Sequence, residues 1–300
     1  VKRLVALDWG TSSLRGALLD EAGRVLEEKS SPHGILSVAA GGFPEVFQIE
    51  FGSWMEAPGT VCLIAGMAGS RQGWREAPYC PCPADLADVA ARLLWLEPGR
   101  IALVPGLACE EHGVPDVMRG EEAQVFGAMA LLGLQEAQLV LPGTHSKWVQ
   151  VRGGRIEGFR SFMTGELYAL LRQHSILART LPQSDGELDA PAFGQGLAQA
   201  RASASASLLH AAFSVRTLAL FDRMPPAVMP SYLSGLVIGE ELRTQSLANT
   251  DAPVVVIGSD ALTARYRLAL ESRGVAVQTV GSQASSRGLW AIARQLKEFA

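Results

Sequence analysis

The chain has 300 residues, 48% hydrophobic and 19% charged, with a formal net charge of -4. That length points to two domains, each able to bury a core of its own. The acidic balance and the lack of any basic cluster speak against a nucleic-acid partner, and no apolar run approaches the roughly 18 residues of a membrane span. Leu4–Leu7 is a strand pattern ending at Asp8, followed by the turn Gly10-Thr11-Ser12-Ser13 and a second strand-like run to Leu19. Glu21-Ala22-Gly23 then closes a hairpin into a third run from Arg24. Such a strand–turn–strand offers backbone N–H groups and hydroxyls to a phosphate, with a carboxylate alongside for a metal. It is equally an ordinary β-meander with an acidic residue at its bend.

Ser31 to Pro58, which contains Gly41-Gly42, reads as a loop-rich segment. Val61–Ala65 is a short buried strand running into Gly66-Met67-Ala68-Gly69-Ser70-Arg71-Gln72-Gly73-Trp74. Three glycines, an arginine and a tryptophan at a strand exit suit the ligand crevice of an α/β sheet, or else a glycine loop over a packed indole. The spacing of Leu86, Val89, Ala90, Leu93 and Leu94 predicts a helix from Asp85 through Leu96, and Ile101–Val104 is a further strand. Val125, Phe126, Met129 and Leu132 mark a helix from about Glu121, so Glu121 and Glu122 occupy its first turn. The positive end of the helix dipole favours carboxylates there, and many helices carry them without further purpose. At a crevice, such a carboxylate can also accept the proton of an attacking hydroxyl.

The first pattern then recurs. In residues 139–160, Gly143-Thr144-His145-Ser146 answers Gly10-Thr11-Ser12-Ser13, and Gly153-Gly154-Arg155-Ile156 answers Ala22-Gly23-Arg24-Val25. Two hairpins with G-T-x-S at the first bend imply a duplicated architecture, with each bend expected to face the other across a cleft. Further on, a helix is expected from Phe162 to about Ala178 with Thr164 as its cap, then a loop over residues 182–196. Leu197–Leu220 reads as a helix with a small-residue face, and Tyr232–Thr244 as another. A strand at Val254–Ile257 is followed by Gly258-Ser259-Asp260 and a helix through Ser272 that stops at Gly274. A strand at Val275–Val280 and a final helix at Ala284–Phe299 complete the chain.

Cys62, Cys80, Cys82 and Cys109 fit no zinc spacing and read as structural thiols, and His145 is the one histidine placed for chemistry. The N-terminus enters a strand without the apolar region of a signal peptide, so a cytoplasmic protein is expected. Competing phosphate devices are absent: there is no Gly-Lys dipeptide for a Walker A loop, no G-x-G-x-x-G after a strand, and no G-x-S-x-G elbow.

The first hairpin resembles the phosphate-1 element of the actin, sugar kinase and Hsp70 superfamily, LPGTHS its phosphate-2 element, and Val254–Asp260 its adenosine element. Nearly the whole chain resembles the 2-dehydro-3-deoxygalactonokinase family. DWGTSSLRG, GMAGSRQGW, EAPYCPCPADL, MRGEEAQVFGA, LPGTHSKWV, FMTGEL, YLSGLVIGEEL and GLWAIAR carry that likeness, in order and at matching spacing. The resemblance implies an α/β protein of two ribonuclease-H-like domains around a central cleft, expected at 1–136 and 137–300, with the last helix returning to the first. It also implies phosphorylation of the 6-hydroxyl of 2-dehydro-3-deoxy-D-galactonate by ATP with Mg²⁺ in galactonate breakdown, and leaves a homodimer open. Asp8 matches the acid that positions the metal through water, and Gly10, Thr11 and Ser12 the first phosphate bend. Gly143, Thr144 and His145 match the second bend, and Gly258 with Ser259 the adenosine turn. Many superfamily kinases carry an aspartate where this chain offers Glu121 and Glu122; Glu121, directly after Gly120 at the crevice edge, is favoured as the base. Arg71, Trp74 and Arg119 are the candidates for the acid sugar, since a carboxylate invites bidentate arginine pairing. Two alternatives stand: a phosphohydrolase of the exopolyphosphatase kind, whose S-G-x-E-E-A is echoed by Gly120-Glu121-Glu122-Ala123, and a kinase for a related 2-keto-3-deoxy sugar acid. A non-catalytic sensor is disfavoured by the paired acids, and a polyphosphatase by the acidic charge.

Overall fold

The computed structural model describes residues 2–202, 207–245, 247, 252–297 and 299. β1 (Arg3–Trp9), β2 (Leu14–Asp20) and β3 (Val25–Ser31) form an antiparallel meander. Helix α1 (Phe43–Phe51) follows, then β4 (Thr60–Gly66), which returns parallel to β1 with Asp8 opposite Ala65 and Trp9 opposite Gly66. After β5 (Cys80–Pro81) and α2 (Leu86–Ala90) come β6 (Leu94–Glu97) and β7 (Ile101–Leu103), completing a six-stranded sheet of order β3-β2-β1-β4-β7-β6. β8 (Leu107–Glu111) and β9 (Val114–Met118) make a hairpin against β5, and α3 (Glu121–Leu132) follows.

β10 (Ala137–Leu141), β11 (Ser146–Arg152) and β12 (Arg155–Phe162) repeat the opening meander, and Gly153 and Gly154 take φ of 55° and 74° at its turn. Helices α4 (Thr164–His174), α5 (Ala190–Arg201), α6 (Leu208–Ala211), α7 (Ser214–Leu220) and α8 (Met229–Arg243) come next. β13 (Val254–Ile257), α9 (Asp260–Glu271), β14 (Val277–Val280) and α10 (Gln283–Ala293) end the chain. The second sheet runs β12-β11-β10-β13-β14, so each sheet places a three-stranded meander beside a crossover strand, the pattern the duplicated motif predicts. This is the α/β architecture of the actin and sugar-kinase type. Contacts group the chain into two compact units: Val1–Leu139 with Trp148–Arg160 and Val280–Ala300, and Val140–Lys147 with Ser161–Thr279. Among the described residues no helix is long and apolar enough to cross a membrane.

Several elements differ from the sequence reading. The segment 31–58 contains α1, because Phe43, Phe47 and Phe51 form a buried stripe at four-residue spacing and Pro44 sits in the first turn, where proline is tolerated. The helix expected over 85–96 does open on a reciprocal capping box of Asp85 and Asp88, but it stops at Ala90 and Leu94–Glu97 pairs instead with β7 as an edge strand. The loop expected over 182–196 gives way to α5, capped by Asp189. The 197–220 helix is several pieces, with residues 203–206 outside the described set. Thr164 opens α4 without capping it, and its hydroxyl donates to Glu241. The last helix ends at Ala293.

Two helix pairs, one in each unit, pack backbone against backbone. In the first unit, a Cβ on Gly127 would stand 1.8 Å from the Ala284 carbonyl oxygen, and one on Gly288 1.7 Å from that of Ala123. In the second, Gly196 and Gly235 let α5 and α8 approach in the same way, each 2.1 Å from a facing carbonyl oxygen by the same measure. The α3–α10 contact therefore fixes α3, and with it the residues at its head, against the sheet of the first unit.

Candidate active site

In the first unit, the ends of β1 and β4 and the head of α3 converge. Gly66 takes φ 90° and Gly120 takes φ 104°, a region that strains any residue with a Cβ. A Cβ on Gly66 would lie 3.2 Å from Asp8 Oδ1, and one on Gly120 would lie 3.1 Å from Gly66 Cα and 4.0 Å from that same Asp8 oxygen. The glycines let the backbone close around the Asp8 carboxylate and leave the first turn of α3 beside it. Asp8 is half-buried, and its Oδ2 accepts a 3.2 Å hydrogen bond from Ser285 Oγ. Burial raises its pKa above the ordinary carboxylate value, against the lowering effects of Ser285 and the Arg15 charge.

The two glutamates separate in role. The Arg119 N–H donates to Glu121 Oε2 at 2.9 Å, and Glu121 remains partly exposed. Glu122 is fully buried, its Oε2 accepting from the Gly120 N–H at 2.7 Å while Oε1 has no partner. Burial, reinforced by the neighbouring Glu121, pushes the Glu122 carboxyl up to about 8. The stabilising dipole expected from sequence is outweighed at that position by loss of solvent.

The Gly10–Ser12 bend is braced from behind. Gly10 N–H donates to the Ser13 carbonyl at 2.9 Å, while Ile35 and Leu36 N–H groups donate to the carbonyls of Gly10 and Thr11 at 3.0 and 3.2 Å. Gly34 presses its backbone against Ser12, where a Cβ would stand 2.3 Å from the Ser12 carbonyl carbon. Thr11 and Ser12 are exposed.

The three candidates for the acid sugar differ sharply. Arg119 lies between β9 and α3; its Nη2 donates to the Ala77 carbonyl at 2.8 Å and its guanidinium stacks on Tyr79 at 4.4 Å. Its Nε and Nη1 are shielded from solvent and have no partner, and the Ser70 hydroxyl, next to Gly69 against which Nη1 packs, is in the same condition. Arg71 is exposed and only loosely paired with Glu76 at 3.5 Å. Trp74 is half-buried and packed among Trp9, Phe43 and Phe47, with ring centroids 5.7 to 6.5 Å away. Ser70 was not singled out from sequence, since an isolated serine beside a glycine carries no signal until a buried guanidinium is found next to it.

In the second unit, the bend after β10 is seated on the head of α4. Gly165 has no room for a side chain, since a Cβ would lie 2.4 Å from the Gly143 carbonyl oxygen, and Glu166 N–H donates to the Thr144 carbonyl at 3.0 Å. His145 Nε2 and Glu166 Oε2 are 2.5 Å apart at the surface. Beside this bend opens a cavity of about 240 Å³, lined by Gly143, Thr164, Ser234, Leu262, Arg265 and Tyr266 among others. Gly258 stands behind Pro142, 3.8 Å from its ring by the position of a built Cβ, and Ser259 is exposed at the start of α9. The walls of the cavity thus come from α4, α8 and α9 more than from the glycine turn on which sequence reasoning relied.

Among the described residues no three His, Cys, Asp or Glu side chains gather to hold a metal. Mg²⁺ in phosphoryl-transfer sites commonly takes only one or two carboxylates and completes its shell with water and substrate phosphates. The lone Asp8 carboxylate beside the first bend fits that arrangement, and does not fit a metal held by protein alone.

A family model described as 2-keto-3-deoxy-galactonokinase matches residues 8–292. A protein of Rhizobium meliloti (strain 1021), named "Probable 2-dehydro-3-deoxygalactonokinase DgoK1", is 38% identical over 297 residues, 97% of this chain and 96% of that one. The 2-dehydro-3-deoxygalactonokinase of Escherichia coli (strain K12) is 35% identical over 294 residues, covering 97% of both. A crystal structure of a protein from Sinorhizobium meliloti, provisionally given the same enzyme name, superposes with a TM-score of 0.89 at 38% identity over 98% of both chains.

Proposed function

The chain belongs to the 2-keto-3-deoxy-galactonokinase family, and from that premise we propose how its own residues carry the reaction. It is a sugar-acid kinase of galactonate breakdown, a phosphotransferase with an alcohol group as acceptor that draws its phosphoryl group from ATP. The acceptor is the 6-hydroxyl of 2-dehydro-3-deoxy-D-galactonate. The functional division follows the repeat: residues 1–136 handle the sugar acid and residues 137–300 the nucleotide.

The observation that carries the assignment is the convergence of Asp8, Gly66 and Gly120 at the head of α3. Of the two glutamates there, Glu121 is the one a substrate hydroxyl can reach, because Glu122 is sealed from solvent. Glu121 takes the proton of the 6-hydroxyl as that oxygen attacks the terminal phosphorus of ATP, and the bridging oxygen leaves with ADP. Glu122 serves as the internal cap that holds Gly120 in its positive-φ conformation. Asp8 would hold Mg²⁺ through water, and the ion when bound would neutralise charge on the phosphates.

Arg119 is the receptor for the substrate carboxylate: its guanidinium is pre-set by Tyr79 and Ala77 and retains two unpartnered donors beside Ser70. Leaving such donors buried and unpaired is costly, and a carboxylate satisfies them with charge-assisted hydrogen bonds. Gly10, Thr11 and Ser12 hold phosphate in the first unit; Gly143, Thr144 and His145 do so in the second. The cavity beside Gly143 takes the adenosine, the Gly258-Ser259 turn contributing through α9, which it opens and whose Leu262, Arg265 and Tyr266 line that cavity.

Product formation from ATP against a panel of sugar acids tests the reading. The panel holds the galactonate-derived 2-keto-3-deoxy acid, its gluconate-derived C4 epimer and parent aldonates, with polyphosphate as a separate substrate. The galactonate-derived acid should be the best acceptor and yield a 6-phosphate ester. Orthophosphate release from polyphosphate without any sugar acid would instead identify a phosphohydrolase.

A further inference from the structure

We propose that Glu241, on α8 and outside every position assigned above, is a positioning residue for the nucleotide: its buried carboxylate pins both ends of the second phosphate bend and the wall of the adjoining cavity. The proposal rests on the nucleotide reading of that cavity.

Glu241 is 3% exposed, and two hydroxyls converge on its Oε2. Tyr266 OH donates to it at 2.8 Å and Thr164 Oγ1 donates to it as well. A carboxylate can only accept, and burial, followed by the Glu241 charge, holds the Tyr266 hydroxyl far above its ordinary pKa, so Tyr266 keeps its proton and is the donor. With its hydrogen committed to Glu241, Tyr266 must accept from Ser146 Oγ, 2.9 Å away. The direction of the chain is therefore set: Ser146 to Tyr266 to Glu241, with Thr164 entering from the other side.

All four residues are buried and come from four different elements: Ser146 opens β11, Thr164 opens α4, Glu241 is on α8 and Tyr266 on α9. Ser146 directly follows the Gly143–His145 bend. Thr164 directly precedes Gly165, whose backbone lies against Gly143. Thr164 and Tyr266 also line the cavity together with Gly143. One carboxylate thus holds the bend from its C-terminal side through Ser146 and from beneath through Thr164. Burying a carboxylate costs more than an apolar residue of the same volume, so a packing role alone would be better served by leucine or methionine. What the carboxylate adds is a fixed geometry for three hydroxyls: it gives Thr164 and Tyr266 a common acceptor and thereby sets the direction of the Ser146–Tyr266 bond.

The test measures ATP binding and both KM values in Glu241→Leu, Glu241→Gln, Tyr266→Phe and Ser146→Ala. Titration of the purified full chain with ATP alone, by calorimetry, reads the nucleotide site without turnover. Glu241→Leu and Tyr266→Phe should weaken ATP binding about tenfold, the loss of roughly one buried hydrogen bond's worth of positioning, with KM for the sugar acid within about twofold of wild type. Glu241→Gln, whose amide oxygen still accepts both hydroxyls, should recover most of the affinity lost in Glu241→Leu. The proposal is overturned if the KM values for ATP and sugar acid rise together, or if thermal stability falls while ATP affinity stays at the wild-type value. Should Glu241→Leu fail to fold, Tyr266→Phe and Ser146→Ala decide, since each deletes a single hydroxyl; wild-type ATP affinity in both rejects the proposal. A wild-type chain that binds no ATP rejects the nucleotide assignment beneath it, an outcome told apart from the others because it appears before any substitution.

Discussion

Ser285 Oγ donates to Asp8 Oδ2 at 3.2 Å, tying α10 to the exit of β1. The carboxylate on which the proposed phosphate chemistry depends is therefore aimed by the other end of the chain. Asp8→Asn should lower kcat by at least about a hundredfold while KM for the sugar acid changes little, because one positioned contact to the metal–phosphate group is lost. Ser285→Ala, which removes only the aiming hydrogen bond, should cost a few-fold in kcat. Steady-state kinetics on folded protein check both, and a near-normal Asp8→Asn enzyme would remove Asp8 from the site.

The α3–α10 contact has no space for a methyl group. Gly127→Ala and Gly288→Ala would place carbon 1.8 and 1.7 Å from carbonyl oxygens, so the helices must separate. Each should destabilise the fold by about 1–3 kcal/mol or more, with a lowered melting temperature. Because α3 carries Glu121 at its head, kcat should fall as well, even at temperatures where the variant is fully folded. Gly133→Ala, at a position with φ 65° but no neighbour within reach, serves as a control for backbone strain without a clash.

Glu122 makes stability depend on pH. Its carboxyl is pushed up to about 8 by burial and by Glu121, against an ordinary value of 4.5, so the folded chain binds this proton more tightly than the unfolded one. Stability then falls as pH rises through the window from 4.5 to about 8 and is fully reduced above it. Glu122→Gln lacks that proton and should be insensitive over the same window, gaining on wild type by on the order of a few kcal/mol between pH 5 and pH 9. Denaturant unfolding at several pH values measures the gap; a gap that does not grow with pH would contradict the raised pKa.

Arg119 and Arg71 should behave oppositely. Arg119→Lys keeps the charge but loses the planar fork and the stacking on Tyr79, and KM for the sugar acid should rise by about ten- to a hundredfold. Arg71→Ala removes an exposed side chain with a loose partner and should leave KM within about twofold. Equal effects from the two substitutions would move the carboxylate receptor away from Arg119.

The two opening hairpins of the repeat were legible because glycines mark their turns and the motif occurs twice. The head of α3 was legible because the apolar spacing of Val125, Phe126, Met129 and Leu132 sets its start near Glu121, whereas the β8–β9 hairpin just before it was not read. Helix α1 was hidden by Gly41-Gly42, which made the segment read as a loop although they lie before its first turn. The 85–96 segment misled because Leu93 and Leu94 continue the helical spacing of Leu86, Val89 and Ala90, and only pairing with β7 shows that the run from Leu94 is an edge strand. The burial of Glu122, the unpartnered donors of Arg119 and the convergence on Glu241 were out of reach. Each depends on which distant segments surround the group, Thr164 and Glu241 being 77 residues apart.

The central claim is that the head of α3 supplies the base through Glu121. Paired kinetics of Glu121→Gln and Glu122→Gln against ATP and the galactonate-derived acid test it most directly. Glutamine keeps the size and the hydrogen bond from the Arg119 N–H but cannot take a proton, so Glu121→Gln should lose on the order of 10²–10⁴ in kcat with KM for the sugar acid little changed. Glu122→Gln should turn over near the wild-type rate at neutral pH, where Glu122 already holds a proton. Wild-type kcat in Glu121→Gln, with the loss appearing in Glu122→Gln or in neither, would contradict the account.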